Sequence, residues 1–149
     1  MAYKTYKQLC DYFEALPTSV TALKSAIAGE DEGTIDAQNS SIRYPHLRVE
    51  TPTLRFRNED ETMVTRYTFR MFVLSNRKIT TNAQANQLLS DMEALARAVI
   101  KQMWQDADAG NFDLITGDNE GDAVRAWSAD DLFGWWWTAV VELWTDECA

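Results

Sequence analysis

Eleven consecutive residues near the C-terminal end constrain the fold more than any others: Trp135-Trp136-Trp137-Thr138-Ala139-Val140-Val141-Glu142-Leu143-Trp144-Thr145. A run of aromatic and β-branched residues with no helical period reads as a strand. Side chains on a strand alternate between its two faces. One face therefore carries Trp135, Trp137, Ala139, Val141 and Leu143, all apolar, and belongs in a core. The other carries Trp136, Thr138, Val140, Glu142 and Trp144, and needs a cover of its own or a partner. This is the signature of packing and assembly rather than of catalysis.

The remaining elements read as follows. Thr5 and Gln8 stand at capping-box spacing, so a helix starts there. Tyr6, Leu9, Cys10, Phe13 and Leu16 form its apolar stripe, and Pro17 is expected to stop it. Val20 to Ala28 suits a short strand or an irregular segment. Gly29 to Ser41 is polar and reads as a long loop or mobile arm. His46 to Arg57 alternates Leu47, Val49, Leu54 and Phe56 with charged residues, with Pro52 placing it on an edge or breaking it. Asn58 to Glu61 makes a turn into the return strand Met63 to Leu74, with Tyr67, Phe69, Met71 and Val73 on one face. Thr81 and Gln84 repeat the capping-box spacing. Leu88, Met92, Leu95, Val99 and Met103 then predict a helix of about six turns, roughly 35 Å, leaving at Gly110. Phe112 to Thr116 and Asp122 to Ser128 read as a hairpin, and Ser128 to Gly134 as a loop before the tryptophan strand.

One domain of residues 1–149 accommodates all of this, at a length close to the commonest domain size. There is no apolar run long enough for a transmembrane helix and no apolar leader at the N-terminus, so the default compartment is the cytoplasm. Cys10 and Cys148 are expected to be free thiols there.

The net charge of −9 is unevenly spread. Gln105 to Ala149 holds eleven acids and one base, Arg125, whereas Arg43 to Lys78 holds eight bases and four acids. Such a balance argues against non-specific DNA binding by the whole chain. Both regions can be solvated faces. Alternatively, a basic patch on one subunit meets an acidic patch on the next, giving a ring or filament.

Motifs for chemistry are missing. His46 is the single histidine, and Cys10, His46 and Cys148 lack the spacing of a zinc site. Asp106 to Asn111 begins like a calcium loop, but the sixth and twelfth positions are Asn111 and Gly117 rather than glycine and glutamate. Asp118, Glu120 and Asp122 offer at most a weak cation site. Phosphate-binding glycine loops and a nucleophile elbow are absent. No catalytic, cofactor or metal residue is assigned.

The order of parts is nevertheless suggestive. A short amphipathic helix precedes Tyr44-Pro45-His46-Leu47, which opens a strand; a long helix follows the hairpin; and Ala129-Asp130-Asp131-Leu132-Phe133-Gly134-Trp135 leads into the last strand. This layout resembles the tail-completion and tail-terminator group of tailed bacteriophages, with related neck and minor structural proteins, in versions from phages and prophages of Bacteroides-like hosts. The resemblance implies an α+β fold with a mainly antiparallel sheet packed on helices. From the residues, that is about four to six strands with one long and one short N-terminal helix. It also implies a virion protein assembled in the host cytoplasm. Its subunits would form a ring, commonly hexameric, that contacts tail tube or connector. No catalytic residue or cofactor is implied.

On this reading Arg55, Arg57, Arg66 and Arg70 face Asp118, Glu120 and Asp122 of a neighbouring subunit, and Trp136 and Trp144 anchor the interface. The plainer alternative puts both tryptophans under the N-terminal helix. A rival function is a cytoplasmic module that binds a small ligand or a protein in an aromatic pocket beside Trp127 and Trp135.

Overall fold

The computed structural model describes residues 2–29, 42–115, 120–127 and 132–146. In chain order the elements are α1 (Tyr6–Ser19), β1 (Ser25–Ala28), β2 (His46–Val49), β3 (Thr53–Glu59), β4 (Thr62–Ser75), α2 (Asn82–Asp108), β5 (Asp113–Ile115), β6 (Gly121–Trp127) and β7 (Leu132–Asp146). The fold is α+β, with one mostly antiparallel sheet of seven strands. The arm expected from Gly29 to Ser41 lies outside the described residues, apart from Gly29.

Two long strands form the middle of the sheet. β4 and β7 pair antiparallel in an unbroken register from Thr62↔Asp146 to Ser75↔Phe133. Each carries an interrupted strand on its outer side. β2 and β3 both lie along β4, the first opposite residues 71–74 and the second opposite residues 62–68. Pro52, which has no N–H to donate, falls in the gap, so of the two expectations for His46 to Arg57 the strand is broken there. β1 extends the sheet by pairing parallel to β2.

On the other side, β5 and β6 both lie along β7. The hairpin expected between them does not form. β7 is fifteen residues long, and its edge satisfies the backbone groups of both segments in line. Leu132 to Gly134, expected in a loop, belong to β7. A Cβ on Gly134 would stand 1.8 Å from the Val73 carbonyl oxygen, so only glycine lets β7 approach β4 there.

Parity then sorts the side chains. Tyr67, Phe69, Met71 and Val73 of β4 join Trp137, Ala139, Val141 and Leu143 of β7 in the main core, as their alternation predicts. The two helices cover this face. α1 contributes Leu9, Phe13 and Leu16, and its capping box is present at Thr5 and Gln8. The helix does not stop at Pro17. It continues to Ser19, where the Val20 N–H closes the last turn on the Leu16 carbonyl at 2.8 Å. The proline deprives the Phe13 carbonyl of its N–H partner but leaves the next bonds intact.

α2 starts at the Thr81 cap and is longer than expected, at 27 residues or about 40 Å. It buries Leu88, Met92, Leu95, Val99 and Met103. Gly110, at φ 89°, takes the left-handed conformation that ends it.

Phe13 is fully buried, with its ring 4.9 Å from that of Phe69. Replacing Phe13 with Ala is expected to cost about 3–5 kcal/mol in urea unfolding. Replacing Phe56 with Ala, on the exposed β3, is expected to cost about 0.5 kcal/mol or less.

Candidate interaction surface

Even-numbered residues of β4 and β7 point away from the helices. This second face carries a small apolar cluster and two charge clusters. Phe72, Leu74, Val124 and Leu132 make the apolar part, with Tyr44 and Trp136 packed against it. Trp136 and Trp144 therefore do not lie under α1. They stand on the opposite face, Trp136 half-buried and Trp144 40% exposed.

The first charge cluster centres on Glu142, which is 3% exposed. Both terminal guanidinium nitrogens of Arg57, Nη1 and Nη2, donate to it, as does Arg66 Nε at 2.9 Å. Burial alone would raise the Glu142 pKa, but the hydrogen bonds from Arg57 and Arg66 outweigh it and hold the carboxyl below its ordinary value. The Arg57 guanidinium also lies 5.7 Å over the Trp144 ring. In the second cluster, Glu50 lies within 3.7 Å of the buried Arg48 and 3.3 Å of Arg70. Arg70 covers the Trp136 ring at 4.9 Å.

The four arginines expected at a subunit interface are thus brought to one face, but three of them are engaged by carboxylates of their own chain. Intrachain Glu142 and Glu50 hold Arg57, Arg66 and Arg70. Arg55 is exposed and has no ion-pair partner among the described residues. Of the acids expected to meet them, Glu120 and Asp122 are exposed, and Asp118 lies outside the described residues. The opposite sign of charge that satisfies Arg57 and Arg66 sits 85 and 76 residues away in sequence, which residue counting along the chain does not reveal.

A feature missed in the sequence lies on the helix side of the same hairpin. β3 lies beside the start of α1, where Tyr6 borders its inward-pointing residues without covering them. Leu54 is 52% exposed and Phe56 is 62% exposed. They line an open apolar groove of about 260 Å³ with Pro52, Tyr6 and Tyr67.

Trp135 lines another open groove, about 270 Å³, with Glu93, Arg97 and Ile100 of α2. Its indole N–H already donates to the Leu89 carbonyl at 2.7 Å. The Trp127 side chain lies outside the described residues.

His46 is buried, with Nδ1 2.7 Å from Ser25 Oγ. The serine hydroxyl donates to the Arg43 carbonyl at 2.7 Å and accepts from the Arg43 N–H at 2.9 Å. Its proton is therefore committed to the backbone, and the imidazole donates to it rather than activating it. Burial, aided by the charge of Arg48, pushes the histidine pKa down to about 4. Asp106, at the start of the calcium-like stretch, accepts from the Tyr12 hydroxyl at 2.7 Å and from Gln102 at 3.1 Å, tying α2 to α1. Among the described residues no three His, Cys, Asp or Glu gather as a metal site. Among them, too, no helix is long and apolar enough to cross a membrane.

No family model matches this sequence, and no curated protein matches it either.

Both depressed pKa values give stability that is present at neutral pH and lost on acidification. His46 must stay neutral to remain buried. Its contribution falls away as the pH drops from 6.5, where the unfolded histidine takes a proton, to about 4. Glu142 adds a loss that starts only below about 4.5. Urea unfolding across pH 3–7 is expected to show both limbs. His46→Gln should flatten the upper limb, and Glu142→Gln the lower one.

Proposed function

We propose that the protein is a virion structural protein of a tailed bacteriophage, of the tail-terminator, tail-completion or neck type. It acts by joining copies of itself into a ring and by binding tail tube or connector. No bond is made or broken, and no cofactor is used. It is assembled in the host cytoplasm and ends in the virion. The layout of elements that resembles this group supports the reading.

The observation that carries it is the state of the β3–β4 hairpin. Its edge strand β3 has no second neighbour among the described residues, and it holds Leu54 and Phe56 out to solvent. An edge with free backbone groups and large apolar side chains pairs with another chain unless something covers it. Soluble monomers blunt such edges; assembly proteins use them.

The rival reading, a small-ligand module, rests on the groove beside Trp135. That groove is shallow, open and already short of its indole donor. Small-molecule sites are usually more enclosed.

Electron microscopy and mass measurement of the concentrated protein separate the two. Closed rings of one stoichiometry are expected. A protein that stays monomeric to ~1 mM, the weak limit of specific association, overturns the self-association reading.

A further inference from the structure

One rung of the sheet orders four charges across four strands. Arg55 of β3 pairs with Arg66 of β4, Arg66 with Glu142 of β7, and Glu142 with Asp113 of β5. The inner pair is satisfied, with Arg66 Nε 2.9 Å from the Glu142 carboxylate. The outer two are not. Arg55 stands beside another arginine and Asp113 beside another carboxylate, and like charges directly opposite one another destabilise a sheet. Both are exposed, and neither has an ion-pair partner among the described residues. Both also sit on strands with only one sheet neighbour among those residues.

We propose that copies of this chain join edge to edge, with β3 of one against β5 of the next, so that Arg55 meets Asp113 across the junction. This rests on the self-association proposed above and names the surface that performs it. The occupant is a second copy because both halves of the complement lie on the same rung of the same chain. Repeating the rung head to tail sets the negative end of one copy beside the positive end of the next.

The strand directions agree. β3 is antiparallel to β4, β4 to β7 and β7 to β5, so β3 of one copy meets β5 of the next antiparallel when the sheet continues. Antiparallel strands form the more stable ladder.

The faces agree as well. Arg55 and Asp113 both lie on the face turned away from the helices, in step with Arg66 and Glu142. On the other face, Leu54 and Phe56 reach toward the helix side of the next copy. There Leu114 is half-buried and Trp104 of α2 is 49% exposed. Asp106 faces α1 through Tyr12. Trp104, two residues earlier on the helix, points the opposite way. One turn before it, Ile100 lines the groove that borders Gly121 of β6. Apolar thus meets apolar on one side of the junction, and base meets acid on the other. The contact is heterologous, the kind that closes into rings when the angle permits.

Within one chain Arg55 and Asp113 are three strand spacings apart, about 14 Å, too far to pair directly. The two substitutions Arg55→Glu and Asp113→Arg therefore test the junction. Each leaves a like-charged contact between copies. Mixed together, each variant supplies the sign that the other lacks at both of its edges.

Sedimentation at low salt is expected to show wild-type association, at least about tenfold weaker association of either variant alone, and recovery in the equimolar mixture. Circular dichroism checks that both exposed-site variants fold. If the wild type associates and the variants do so equally well, the proposed junction is wrong and self-association through another surface stands. If the wild type is monomeric to ~1 mM, the self-association reading fails and this junction with it.

Discussion

The antiparallel pairing of β4 with β7 is the constraint on which the rest of the molecule depends. Its register runs from Thr62↔Asp146 to Ser75↔Phe133 without a bulge. Because side chains alternate, this one register decides which residues see the helices. A slip of β7 by a single residue would turn Glu142 into the core beneath α2 and expel Val141, and the same slip of β4 would turn in Arg66 and expel Tyr67. Desolvating those charges without partners would cost several kcal/mol each, so the register is strongly specified. The close approach at Gly134 pins it further, since no side chain fits there.

The second face follows from the same alternation but is built differently. It buries Glu142 by pairing it with Arg57 and Arg66, and it buries Arg48 opposite Phe72 of the apolar cluster, with Glu50 3.7 Å away. Arg57 and Arg66 supply the donors that a buried carboxylate requires. The ends of the rungs are where this pairing stops. Strands interrupted at Pro52 and between β5 and β6 leave short edges that no described residue of the chain pairs with.

Much of this was legible in the sequence. Thr5 and Thr81 mark helix starts because capping is a local interaction among residues three apart. The faces of β4 and β7 are legible because a two-residue period needs no knowledge of partners. The features that escaped are those decided by distant partners. Pro17 sits inside α1 because the helix rests on the sheet and recovers its bond at Val20. β5 and β6 fail to form a hairpin because β7 is long enough to hold both. Arg57 and Arg66 read as free bases because their acid, Glu142, lies on a strand far along the chain. Exposure of Leu54 and Phe56 depends on where α1 lies in space, not on their own alternation.

Backbone amide hydrogen exchange, followed residue by residue in dilute and in concentrated protein, reads the sheet edges themselves. The account predicts that the β4 and β7 amides are protected in both. It also predicts that the outward amides of β3 and β5 exchange fast when dilute and slow together as concentration rises. Outer-edge amides that exchange equally fast at every concentration, while the protein associates, would contradict it.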